Sequence, residues 1–270
     1  MNKNAPIAIF DSGMGGLSVF REIETLMPHE NLIYFGDTAR VPYGTRSAET
    51  IEKFVKSDLD FLAQFAPKHI VVACGTASSV GNKVLKRECE HFTSVINPSA
   101  IAATKATKNG KIGVISTTAT LKSGAFERKI KKMLPSATVY GKAAPLFVNL
   151  VENGFTDEND EAANAVAKKY LKELTEKNID TLILGCTHFP LLSKVIAKQM
   201  GEGVTLISSG YETALATKMD LEALDLLNES DAPGTKRFFV SDDTDAFCEQ
   251  GTIFLKHPVN RDEVNLVEMN

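Results

Sequence analysis

Two apolar runs in this chain end in a cysteine followed by small or polar residues. One is LILGCTHFP, where Cys186 precedes Thr187 and His188; the other is HIVVACGTASS, where Cys74 precedes Gly75 and Thr76. A thiol works as a base or nucleophile only as a thiolate, and its ordinary pKa is about 8.5. A strand-to-helix turn places a cysteine near the positive end of a helix, and a neighbouring His or Asp can exchange a proton with it. His188 lies two residues beyond Cys186, and Asp11 ends the apolar run IAIFD in the same kind of loop as Cys74. One Cys with one His would suit a hydrolytic nucleophile. Two equivalent Cys sites suit a reaction in which a proton leaves one face of a carbon and another arrives on the opposite face. The bland alternative is a pair of buried structural cysteines, since free Cys packs as a small hydrophobe.

The other chemistry-bearing residues are less distinctive. Cys89 in KVLKRECEHF and Cys248 in TDAFCEQG sit in helix-like contexts and read as structural. Four scattered cysteines without a Cys-x-x-Cys pair, and five dispersed histidines, offer neither a disulfide framework nor zinc spacing, so no metal site is expected. DSGMGGLS fits neither the dinucleotide glycine pattern nor the lysine-bearing phosphate loop. Gly13, Gly15 and Gly16 read as a tight turn, whose backbone N–H groups can also hold a carboxylate. Tyr43-Gly44, after Pro42, reads as a turn.

The elements that must position these residues alternate regularly. PIAIFD, NLIYFG, HIVVAC, SVIN, KIGVIS, ATVYG, DTLILGC, VTLIS and KRFFVS read as strands. Between them LSVFREIETLM, ETIEKFVKSDLDFLAQF and ENDEAANAVAKKYLKELTEKN read as amphipathic helices. In the last, Ala163, Val166, Tyr170, Leu171 and Leu174 share one face. Apolar strands separated by helices predict an α/β fold with parallel sheets covered on both sides. Ligands bind such sheets at the carboxyl ends of strands, where both cysteines stand.

A faint repeat aligns Ile7–Ser12 with Ile112–Thr117, and Val71–Cys74 with Ile183–Cys186. Two similar α/β halves would then face each other across a cleft. Crossings near Asn97-Pro98 and Ser208–Gly210 predict a discontinuous first domain, 1–97 plus 209–270, and a second, 98–208.

Length and composition bound the function. A chain of 270 residues, 43% hydrophobic and 24% charged, suits one large or two small globular domains. The net charge of -4 gives no footprint for nucleic acid. No apolar run approaches the roughly 20 residues of a membrane helix, and MNKNAPIAIFD leaves no room for a signal peptide, so a cytoplasmic protein is expected.

Five motifs, IAIFDSGMGGLSV, YFGDTARVPYGTRS, VVACGTASS, LVENG and LILGCTHFPLL, agree in order and spacing with the glutamate racemases, within the cofactor-independent aspartate/glutamate racemase superfamily, and the resemblance covers nearly the whole chain. It implies interconversion of L- and D-glutamate, supplying D-glutamate for peptidoglycan, with no pyridoxal phosphate, metal or nucleotide. It also implies two α/β domains, an active site between them, and a homodimer. Residue by residue, Cys74 and Cys186 match the two catalytic thiols, the former assigned to the D-enantiomer, and Asp11 and His188 match the groups that assist them. Ser12, Tyr43, Gly44, Gly75, Thr76, Thr117, Thr120 and Thr187, with Asp11 and His188, match positions around the substrate. Asp37 and Glu152 match accessory acidic positions.

Gly75 departs from the pattern, because the family usually carries Asn after the first cysteine. Substrate contacts through that loop must pass to other groups. The chain also lacks the N-terminal extension of members activated by a cell-wall nucleotide precursor, so that activation is not expected. Two alternatives remain open: a racemase of aspartate or another diacid within the same superfamily, and a non-catalytic α/β ligand-binding module.

Overall fold

The computed structural model describes residues 2–269. Among these residues ten strands are present: β1 (Ile7–Asp11), β2 (Leu32–Gly36), β3 (His69–Val72), β4 (Phe92–Ser94), β5 (Lys111–Ser116), β6 (Thr138–Ala143), β7 (Thr181–Leu184), β8 (Thr205–Ser208), β9 (Lys236–Val240) and β10 (Val264–Leu266). They form two sheets, one in the order β10-β9-β2-β1-β3-β4 and one in the order β6-β5-β7-β8. Every strand pairing is parallel. The expected α/β class with two parallel sheets is what the chain adopts.

The burial of the central strands explains why they read so clearly. All five residues of β1, β2 and the Thr181–Leu184 set of four are buried, with no polar face left to alternate. Helices begin where side chains can replace missing backbone partners. Ser47 accepts from the Thr50 N–H at the start of Ala48–Ala63, and Asp160 accepts from Ala163 at the start of Glu161–Glu176. In the latter helix Ala163, Leu171 and Leu174 are buried as expected, with Ala167 beside them, while Val166 and Tyr170 are half-buried against the same core.

The two sheets share an internal plan. β2-β1-β3-β4 in one corresponds to β6-β5-β7-β8 in the other. The sequence repeat therefore aligns central strand with central strand, and each cysteine-bearing strand with its counterpart. The first sheet is larger because the returning chain adds β9 and β10.

Two strand readings need correction. SVIN is not one strand, since β4 ends at Ser94 and a helix, Ile96–Ala106, takes its last residues. β10 was not anticipated. Its three residues lie at a sheet edge with only Val264 buried, too short and too exposed to show a pattern. Helix Ile96–Ala106 leads from β4 to β5, and helix Ser209–Ala223 leads back from β8. The anticipated crossings fall in the first turns of these two helices.

Candidate active site

Adjacent strands deliver the first group. β1 pairs with β3 in the register Phe10↔Val72, so Asp11 and Cys74 emerge side by side. Cys74 is 5% exposed and caps the short helix Gly75–Val80, its sulfur accepting from the Ala77 N–H at 3.4 Å. Ser12 Oγ stands 3.5 Å from the same sulfur. Burial, reinforced by the negative charge of Asp11, pushes the Cys74 thiol up to about 12. The helix start expected to favour a thiolate is thus outweighed by desolvation, and Cys74 rests as a thiol. Asp11 is itself pushed up by burial, although His188 and the N–H groups of Gly13 and Gly16 oppose the shift.

The second sheet repeats the construction with a different partner. β5 pairs with β7 in the register Ile115↔Leu184, and Cys186 follows as the buried end of the β7 loop. His188 Nδ1 lies 3.8 Å from Cys186 Sγ, and its Nε2 lies 3.1 Å from Glu152 Oε1. Burial would lower the imidazole, but its hydrogen bonds to Cys186 and Glu152 prevail and push it up to about 10. At neutral pH His188 is therefore an imidazolium, and a positive charge beside sulfur stabilises negative charge on it.

The two groups touch. A Cβ built on Gly75 would stand 2.8 Å from the carbonyl oxygen of Gly185, so the residues flanking the two cysteines are in backbone contact. A Cβ on Gly15 would stand 2.4 Å from the His188 ring. The glycine of that turn is thus required for close approach; the positive-φ glycines lie elsewhere, at Gly110, Gly124, Gly154 and Gly201. Ser18 Oγ donates to the Thr187 carbonyl at 2.8 Å, a second tie between the β1 and β7 loops. Thr76 Oγ1 lies 3.1 Å from Thr117 Oγ1, which lies 3.0 Å from Thr120 Oγ1. These hydroxyls bridge the loop after β3 to the loop after β5. Gly44 packs on the Thr117 side chain.

A profile of Asp/Glu/hydantoin racemases matches residues 13–217. The chain belongs to this racemase family. It is 44% identical over 250 residues to a glutamate racemase of Geobacter metallireducens, covering 92% of each chain. Its fold is similar to a glutamate racemase isoform from Bacillus anthracis, with a TM-score of 0.94, 38% identity and coverage of 99% and 98% of the two chains. It is also similar to the Francisella tularensis glutamate racemase solved in complex with D-glutamate, with a TM-score of 0.91, 34% identity and 98% coverage of both.

Within this racemase fold, two of the anticipated residues turn their polar side-chain atoms to each other, although Tyr43 shares a buried cluster with Cys74. The Tyr43 hydroxyl lies against the carboxyls of Asp37 and Asp58, the latter at 3.0 Å. Its hydrogen-bonding capacity is spent there, so only the backbone of Tyr43 remains for a substrate. Asp37 is fully buried and accepts from Arg40 Nε at 2.6 Å and Ser241 Oγ at 2.9 Å. Arg40 Nη2 also reaches Asp58 Oδ1 at 2.7 Å.

Arg40 and Asp58 were not singled out from the sequence. A signal existed for Asp58, which shares the buried face of helix Ala48–Ala63 with Ile51, Val55, Leu59 and Leu62. A charged residue on an apolar stripe calls for a partner. Gly185 and Ser18 carried no such signal, because their contacts depend on how the two sheets meet. Cys89 is the extended residue that ends helix Asn82–Glu88 and Cys248 lies within helix Thr244–Leu255, both at the margins of the core. Among the described residues no group of three or more His, Cys, Asp or Glu is placed to hold a metal ion, and no helix is long and apolar enough to cross a membrane.

Proposed function

We propose that the protein interconverts L- and D-glutamate by passing protons between the α-carbon and two thiols. The observation that carries this reading is the pair of Cys loops from equivalent strands of two sheets, in backbone contact at Gly75 and Gly185 but with opposite partners. Cys74 stands with Ser12 and the acid Asp11; Cys186 stands with the imidazolium of His188. One thiol holds its proton, and the other faces a positive charge.

For L-glutamate, Cys186 removes the α-proton and Cys74 delivers a different proton to the opposite face. Glu152 holds the His188 ring that supports negative charge on Cys186. The α-proton of an amino acid is far less acidic than a thiol, so donors must bear the charge that develops on the carboxylate. The hydroxyls of Ser12, Thr76, Thr117, Thr120 and Thr187, with the N–H groups of the Asp11–Gly16 turn, form the polar lining suited to this. Gly75 supplies no side chain to it. The division into 1–97 plus 209–270 and 98–208 follows the chain crossings and the cytoplasmic location follows the bulk sequence, while a homodimer supplying D-glutamate for peptidoglycan completes the proposal on the strength of the motif resemblance. Sedimentation of the purified chain tests the dimer.

The decisive experiment is turnover of L-glutamate in D2O without added cofactor. Early D-glutamate should carry deuterium at the α-carbon while unreacted L-glutamate keeps its hydrogen. Early label in the remaining substrate would point to one base. Turnover of aspartate alone would overturn the choice of substrate.

A further inference from the structure

We propose that Asp58 is held as a neutral carboxylic acid donating a hydrogen bond to Tyr43, and that this bond positions the Tyr43–Thr45 strap against Thr117. The strap is a single turn of 3-10 helix whose anchor is the buried Tyr43 ring and whose next residue, Gly44, packs on Thr117 of the other sheet's loop. It therefore carries one half of the molecule onto the hydroxyl cluster of the other.

The argument is a proton count. The Tyr43 hydroxyl has one proton, yet its oxygen lies in hydrogen-bond contact with both Asp37 Oδ2 and Asp58 Oδ2. The contact with Asp37 is the shorter and takes the tyrosine's proton. Asp37 also accepts from Arg40 Nε and Ser241 Oγ, the pattern of an ionised carboxylate. Asp58 accepts on Oδ1 from Arg40 Nη2, while its Oδ2 faces the tyrosine oxygen at 3.0 Å. Without a proton on that oxygen, two lone pairs would face each other in a dry site. With one, the Asp58 O–H donates to Tyr43 and every contact is satisfied.

Charge leads to the same arrangement. Asp37 and Asp58 are both 0% exposed, and among the described residues Arg40 is the one cation paired with them. Two ionised carboxylates would leave a net negative charge buried, which is expensive. A neutral Asp58 leaves Arg40 and Asp37 as a balanced pair. The groups facing Asp58 are Arg40, Asp37 and Tyr43, with the negative charge of Asp11 further off and the Phe54 ring beneath the guanidinium. Burial first, and then the charge of Asp37, push Asp58 well above the ordinary carboxylate range, in the same direction.

Asp58 touches no reacting atom in this account; it is a positioning residue, and its effect on turnover rests on the racemase reading above. The amide of Asn reproduces the acid's pattern, donating to Tyr43 and accepting from Arg40. Asp58→Asn should therefore keep the glutamate KM within about twofold, whereas Asp58→Ala should raise it about tenfold with a smaller change in kcat. Asp37→Asn should raise KM at least as much as Asp58→Ala, because Asp37 is needed as a charge. A general ion-pair role would make Asp37→Asn and Asp58→Asn equally damaging. Difference infrared spectra supply a readout independent of activity: the intact protein should show a protonated-carboxyl band near neutral pH that Asp58→Asn removes. If Asp58→Ala fails to fold, the Asn pair and the infrared band still decide. Absence of that band, or an Asp58→Asn variant as impaired as Asp37→Asn, would overturn the proposal.

Discussion

At the scale of single residues, the two thiols are chemically unlike although their strands are alike. Cys74 is buried beside a carboxylate and Cys186 beside an imidazolium, so the charges facing them differ before any substrate arrives. Cys74→Ser and Cys186→Ser should each reduce racemisation by several orders of magnitude while the folded protein remains. In alkylation, glutamate should slow modification of Cys74 and Cys186 but not of Cys89 or Cys248. Peptide mapping that finds Cys89 or Cys248 protected would contradict the assignment. The pH dependence follows from His188. Its folded value of about 10 lies above the ordinary 6.5, so the protonated ring favours the folded state. That contribution is complete below about pH 6.5 and is lost as the pH rises toward 10. Glu152→Gln removes one cause of the upward shift. The stability gap between wild type and this variant should be largest at neutral pH and below, and should close by about pH 10 in thermal unfolding. A gap that widened with rising pH would reverse the sign.

At the scale of elements, the strand-end loops need glycine because they meet other backbone. Gly75 is the sharpest case, since a Cβ there would stand 2.8 Å from a backbone oxygen rather than a flexible side chain. The asparagine usual in the family would force the two cysteine loops apart. Gly75→Asn should therefore lower kcat/KM by about tenfold or more, overpacking typically costing about 1–3 kcal/mol. A lower KM in the Asn variant would mean the space is free and the departure uncompensated. The same contact leaves little room for the missing side chain: the Gly185 carbonyl oxygen stands 2.8 Å from where it would begin.

At the scale of the whole molecule, two parallel sheets with one strand plan are joined by two helices and by contacts between loops. Ser18 is the clearest test of that junction, because its hydroxyl reaches from the helix after β1 to the carbonyl of Thr187. Ser18→Ala should lower the denaturant midpoint by an amount equivalent to about 1 kcal/mol, the net worth of one buried hydrogen bond. It should also reduce kcat by loosening the Cys186 loop against the Asp11 turn. An unchanged midpoint with unchanged kcat would show that the junction does not depend on this bond.

Much was legible before any coordinates. Near-continuous apolar strands, the central ones buried on both faces, announced parallel sheets, and helix periodicity marked what covers them. The repeat of an apolar run ending in Cys74 and again in Cys186 singled out these two cysteines, because a strand end projects its next residue into the loops of the sheet. Residues whose partners are near in sequence were visible too, as with His188 beside Cys186. Tertiary structure alone decided the rest. Which charges surround each thiol depends on burial and on Asp11, His188 and Glu152, brought together from a strand, a loop and a helix. Tyr43 and Asp37 proved to belong with Arg40 and Asp58, since a hydroxyl's partner is set by packing and not by its motif. Gly15, Gly75 and Gly185 gained their meaning only where two sheets meet, because a sequence records the absence of a side chain but not the atom that fills its place.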